Sequence, residues 1–187
     1  MNIKNNINLQ TLICSNNELS SLDVYYNREL ITLDCSGNQL SNLDISYNKN
    51  LQYLNCSNNQ IGDLYFRSNT KLKELDCSNN GMKNIYFLPD ELEKLNCSNN
   101  KLKNLYLSES NKIKELDCSN NELAYLQNAS NIGNFKGDNQ QINVKAYENE
   151  KIIRKEDLNK LVIPDADSKV KEIRQLLNQH SHLIFFL

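Results

Sequence analysis

Six cysteines are the residues best equipped for chemistry in this 187-residue chain: Cys14, Cys35, Cys56, Cys77, Cys97 and Cys118, spaced 21, 21, 21, 20 and 21. A thiol can form a disulfide, bind a metal or act as a nucleophile, and the spacing bears on each. A disulfide needs Cβ vectors that converge, whereas residues one period apart on stacked strands point the same way. Zinc sites favour C-x-x-C pairs or nearby histidines; the chain has no such pair, and His180 and His182 lie far off in the tail. That His-Ser-His is read as incidental. Phosphate-binding, serine-hydrolase and zinc-protease motifs are absent as well. The expectation is no enzyme, no catalytic residue, no metal ligand and no cofactor. The thiols become small apolar side chains in a core column, reduced and buried.

The elements that position the cysteines follow from the phrase around each one, L-x-x-L-x-C-S-x-N-x-[LIM]. It runs from Leu9 to Leu19, Leu30 to Leu40, Leu51 to Ile61, Leu72 to Met82, Leu92 to Leu102 and, with Ile113 opening it, to Leu123. Apolar residues two apart share one face of a short strand. A strand that short pairs with its equivalent one period later, giving a parallel sheet whose strands lie ~4.8 Å apart. A second apolar pair follows each phrase: Leu22/Val24, Leu43/Ile45, Leu64/Phe66, Ile85/Phe87 and Leu105/Leu107. Asn17, Asn38, Asn59, Asn80, Asn100 and Asn121 stand three residues after the cysteines. Their amides are expected to satisfy backbone groups freed where the strand ends. Asn27, Asn48, Asn69 and Asn131 are expected at the opposite corner. With only 5 Gly and 2 Pro, Asn must supply the turns, since it tolerates left-handed backbone.

Over about residues 1–145 this phrase resembles the leucine-rich repeat, with cysteine at the usual third leucine. The L-D-[VI]-x-x-N second half resembles bacterial 21-residue surface and secreted repeats. The shorter fourth unit, ending Phe87-Leu88-Pro89-Asp90-Glu91, resembles 20-residue effector repeats. The resemblance implies a β-rich solenoid, a right-handed coil with its parallel sheet on the concave face, and a protein partner on that face. Some effectors of this type carry a ubiquitin-ligase domain with a nucleophilic cysteine beyond the repeats. No cysteine follows Cys118 and the tail is too short, so that activity is not carried over.

Strand residues alternating with the core form three columns on the concave face. The first is Thr11, Thr32, Tyr53, Glu74, Lys94, Glu115; the second is Ile13, Asp34, Asn55, Asp76, Asn96, Asp117; the third is serine, from Ser15 to Ser119. The candidate contact residues are Thr32, Asp34, Tyr53, Asn55, Glu74, Asp76, Lys94, Asn96, Glu115 and Asp117. Interleaved amides double the distance between acids to ~10 Å, because like charges on adjacent strands repel. The column is either a solvated face tuned against self-repulsion or a mildly acidic groove for a basic segment. Tyr65, Tyr86 and Tyr106 share one repeat position and should stack, either shielding the convex wall or binding a partner.

A net charge of -2 and a pI near 5.7, with Lys and Glu interspersed, argue against nucleic acid or an anionic membrane as partner. No apolar run reaches the ~18 residues of a membrane span, and Met1 to Asn6 lacks a signal peptide's apolar region. Met1 and Ile3 align with Leu22 and Val24, so the chain opens in mid-repeat. That suggests part of a longer product, and end-to-end self-association through uncapped repeats is a further possibility. Residues 1–145 are expected to form the solenoid. Residues 146–187 are expected to form an α-helical cap, with helices near Lys155–Leu161 and Ser168–Gln179, and the apolar Leu183–Leu187 covering the last coil or a partner. The function expected is a non-enzymatic protein-interaction module, cytoplasmic with reduced thiols. The alternative is the recognition arm of a larger secreted or surface effector.

Overall fold

The computed structural model describes residues 1–123, 125–129, 132–140 and 183–185. Its strands are β1 (Thr11–Ile13), β2 (Thr32–Asp34), β3 (Tyr53–Asn55), β4 (Asp63–Tyr65), β5 (Glu74–Asp76), β6 (Asn84–Tyr86), β7 (Lys94–Asn96), β8 (Asn104–Tyr106), β9 (Glu115–Asp117), β10 (Tyr125–Gln127), β11 (Asn134–Lys136) and β12 (Leu183–Phe185). Each L-x-C phrase contributes one strand to a seven-stranded parallel sheet, in the order β1-β2-β3-β5-β7-β9-β11. Register advances by one repeat at each step, Leu12 facing Leu33, Leu33 facing Leu54 and so on to Leu116 facing Phe135. The second apolar pairs form shorter parallel ladders, β4–β6 and β8–β10, and β12 adds antiparallel to β10. The described chain is thus a parallel-strand β-solenoid. The helices expected near 155–161 and 168–179, and the corner expected at Asn131, lie outside the described residues.

The strands stop after three residues because the chain turns left-handed two residues beyond each cysteine. Asn16, Asn58, Asn79, Asn99 and Asn120 adopt φ between 52° and 56° there, and Gly37 adopts 63°. Asn is the non-glycine residue that enters this region at least cost. Gly37 is needed for space as well, since a Cβ there would lie 2.5 Å from Oδ1 of Asn16. Interstrand bonding continues into the turn: the Cys14 N–H donates to the Asp34 carbonyl at 2.8 Å and the Asn16 N–H to that of Ser36 at 2.8 Å. Beneath the sheet lie columns of buried residues, among them Leu33, Leu54, Leu75 and Leu95, the five cysteines from Cys35 to Cys118, and Ile45, Leu64, Phe66 and Leu105 from the opposite wall.

Two asparagine ladders close the coil. In the first, the Asn59 amide donates to the carbonyls of Cys35, Cys56 and Ser57 at 3.0–3.2 Å, while its Oδ1 accepts from the Leu40 N–H at 2.9 Å. Asn38, Asn80, Asn100 and Asn121 repeat this arrangement. Gln140 does the same one coil further on, accepting from the Leu123 N–H and donating to the Cys118 carbonyl. Each amide therefore ties two coils together. In the second ladder, Asn48 donates to the carbonyls of Val24 and Asn27, and Asn69 to those of Ile45 and Asn48. Asn27 donates likewise to Ile3 and Asn6, which places the first residues in a partial coil. The Oδ1 atoms of Asn27, Asn48 and Asn69 are buried without a protein partner. This corner is satisfied on its donor side only.

The cysteine column is dry. Cys35, Cys56, Cys77, Cys97 and Cys118 are fully buried, and none of the six cysteines is joined in a disulfide. Burial pushes the thiols of Cys14, Cys35, Cys56, Cys77 and Cys97 above their ordinary 9.0, and from Cys35 to Cys97 the adjacent thiol and a nearby aspartate add to the effect. Cys35 is raised to about 12. These values are opposite to those of an activated nucleophile.

The ladders predict unequal costs. Asn59→Ala strips a partner from four backbone groups, of which the Ser57 carbonyl alone keeps a backbone donor, and should cost about 3 kcal/mol, whereas Asn48→Ala takes a second donor from two carbonyls that still accept from the Asn27 and Leu30 N–H groups and removes an orphan acceptor, costing about 1 kcal/mol. Urea unfolding of both variants checks this, and equal losses contradict it. The thiols predict an alkaline weakness. Their folded values stand above the unfolded 9.0, so their contribution is intact below about pH 9 and is lost as pH rises toward the folded values. Native protein at pH 8 should leave Cys56, Cys77 and Cys97 unmodified by a thiol reagent, with Cys14 reacting first, and the urea midpoint should fall steadily above pH 9.

Candidate functional site

The sheet's outward face forms an open groove of ≈ 580 Å³. All ten sequence-derived candidates line it: Thr32, Asp34, Tyr53, Asn55, Glu74, Asp76, Lys94, Asn96, Glu115 and Asp117. Ile13, Asn134 and Lys136 line it too. The last two come from β11, where the repeat motif has decayed. The surviving signal was Phe135 two residues before Gly137, the same spacing as leucine to cysteine. Period-two alternation explains the gathering, since in-register parallel strands stack every second side chain into a continuous row.

The first column is zipped by charge. Lys94 Nζ lies 4.0 Å from Glu74 and 3.7 Å from Glu115, each side chain about half exposed. Exposed pairs of this kind contribute little stability and yield readily to a competing ligand. Lys136 stands 3.9 Å from Asp117 at the far end.

The second and third columns interlock, contrary to the expectation of a separate serine column. Oδ1 of Asp34 accepts from the Ser36 N–H at 3.0 Å and its hydroxyl at 2.7 Å. Asn55 serves Ser57, Asp76 serves Ser78, Asn96 serves Ser98 and Asp117 serves Ser119 in the same way. These are side-chain-capped turns, and they leave Ser57, Ser78 and Ser98 buried. An aspartate or asparagine two residues before a serine was the available sequence signal. Only the second carboxylate oxygen is left for the groove, and Asn96 Nδ2 donates to that oxygen of Asp76 at 3.0 Å. An interleaved amide thus bridges as well as separates.

On the opposite wall, Tyr65 and Tyr86 stack with ring centroids 4.9 Å apart and planes 13° apart. Tyr106 is 61% exposed on β8, which belongs to a different ladder from β6. The short fourth unit lies between them, with Phe87 in the left-handed region at φ 58°. Tyr25 packs on Tyr47 at 4.2 Å. Tyr65 is exposed and Tyr86 half-buried, above the buried Leu64 and Leu105 of the same wall. Among the described residues no group of three or more His, Cys, Asp or Glu is placed to hold a metal ion, and no helix is long and apolar enough to cross a membrane.

The family profile described as Leucine Rich repeats (2 copies) matches residues 49–90. Among solved structures, the functional domain of InlJ from Listeria monocytogenes, whose structure is described as including a cysteine ladder, is 31% identical with a TM-score of 0.53, over 70% of this chain and 34% of that one. YopM from Yersinia enterocolitica is 24% identical with a TM-score of 0.52, over 72% of this chain and 34% of that one, a likeness of fold. The chain therefore spans about a third of the length of each. No curated protein sequence matches it at a significant level. With the profile match, the phrase in six successive coils and the asparagine ladder in agreement, the repeating unit of this chain is a leucine-rich repeat.

Proposed function

We propose that the chain is a non-enzymatic protein-interaction module whose sheet groove takes an extended, basic segment of a partner protein. The observation that carries this reading is the lining of the groove: five carboxylates, Asp34, Glu74, Asp76, Glu115 and Asp117, against two lysines, Lys94 and Lys136. From β1 to β11 the groove crosses the sheet over roughly 30 Å, the reach of about nine extended residues. Tyr53, 38% exposed, supplies an aromatic anchor of the kind that dominates interface energetics. Catalysis is disfavoured by the site's openness, because an exposed carboxylate row lacks the enclosed surroundings that shift pKa values. A second reading, the recognition arm of a larger secreted or surface protein, is supported by the chain's matching only about a third of its structural relatives. Finding one longer open reading frame around this segment would favour it.

The groove reading predicts that Tyr53→Ala/Glu74→Gln/Glu115→Gln lowers affinity for a nine-residue lysine-serine peptide by about tenfold. The unfolding midpoint should be unchanged, since all three side chains face solvent. Raising the salt should weaken wild-type binding. Undiminished binding by the variant would assign the peptide to another surface.

A further inference from the structure

The opposite wall carries a second, independent surface. Tyr25, Tyr47 and Tyr65 border a hollow of ≈ 610 Å³ together with Asp23, Asp44 and Asp63. The rings are 38–58% exposed, although tyrosine buries its ring readily where a core is offered. Their grouping follows from the fold: Asp23, Asp44 and Tyr65 occupy one repeat position in successive coils, with Tyr25 and Tyr47 leading into the next turn. Tyr65 is braced from behind by Tyr86, and Tyr25 and Tyr47 brace each other.

The charge of the hollow selects its occupant. Three carboxylates line it without a lysine or arginine. Among the described residues none of the three forms an ion pair. Asp44 is held ionised by the hydrogen bonds from Ser46, which lower its pKa. An anion is repelled here, and a purely apolar group would desolvate the carboxylates without compensation. A cation satisfies them while facing the electron-rich rings. The same wall already holds such contacts within the molecule: the Arg28 guanidinium lies 5.6 Å from the Tyr25 ring centroid and 5.7 Å from that of Tyr47, and Arg67 lies 5.2 Å from that of Phe87.

We propose that this hollow receives a lysine or arginine side chain of a protein partner, bordered by Tyr25, Tyr47 and Tyr65 and neutralised by Asp23, Asp44 and Asp63. It stands apart from the sheet groove and does not depend on it.

The test is a titration of the whole chain with a short glycine-flanked arginine-lysine peptide amide, followed by NMR of the tyrosine rings. A single such contact binds weakly, with a constant of about 1 mM. The resonances of Tyr25, Tyr47 and Tyr65 should shift, and citrulline and norleucine in place of the cations should abolish the shifts. Asp23→Asn/Asp44→Asn/Asp63→Asn keeps the side-chain oxygens that accept from the Tyr25 and Ser46 N–H groups and from the Asn84 amide, and it should weaken binding about tenfold. In the groove variant Glu74→Gln/Glu115→Gln the shifts of Tyr25, Tyr47 and Tyr65 should follow the wild-type titration, whatever the groove itself loses. The proposal is overturned by no shift at about 10 mM peptide, by equal binding of the uncharged peptide, by equal binding of the triple variant, or by shifts confined to Tyr53.

Discussion

The interaction on which everything else rests is the side-chain amide that joins one coil to the next at the end of each strand. A coil this narrow turns inward within a few residues, and the turn exposes carbonyls and an N–H where water has no access. Leaving such groups unpaired costs about 1–3 kcal/mol each. Asn38, Asn59, Asn80, Asn100 and Asn121 remove that cost with one residue per coil, because a planar amide donates and accepts at once. The spacing between cysteine and asparagine is therefore invariant, while the length of the far turn is not. The shorter unit through Phe87 and Pro89 leaves the main sheet in register, Asp76 still facing Asn96.

That register has a consequence for any partner. Parallel strands with identical offsets place each side chain beside its counterpart one coil away, so local choices become rows. Leucine and cysteine rows give the buried core, and the outward rows give a polar groove. Rows also magnify repulsion. The alternation of aspartate and asparagine, each capping its own serine turn, is a solution compatible with both the turn and the electrostatics.

The two walls then present different chemistries from one repeat. The sheet side is shallow, acidic and lengthwise. The opposite side gathers tyrosines and aspartates into a hollow, because the residue between the second apolar pair changes from aspartate in the early coils to tyrosine from the third onward. On the proposed readings both walls take a cationic partner, the first an extended segment and the second a single side chain. Stacked solenoids commonly separate stability from recognition in this way, the interior rows carrying one and the exterior rows the other.

Sequence alone determined the coil. The cysteine period, the apolar residues two apart and the asparagine three residues on specified strand, stacking direction and buried thiols, since those follow from short-range geometry repeated many times. It also placed Thr32 through Asp117 in columns, because alternation along a strand is a local property. What the tertiary structure decided depends on contacts between coils. Gln140 proved to continue the ladder because its longer side chain reaches the Cys118 carbonyl. The serines proved to be capped beneath the second column, and Lys136 to belong to the groove despite its degenerate motif. The hollow of Tyr25, Tyr47 and Tyr65 with three aspartates could not be read from spacing, because only Asp23, Asp44 and Tyr65 share a repeat position while Tyr25, Tyr47 and Asp63 each sit at another. The stacking of three successive coils brings them to one hollow.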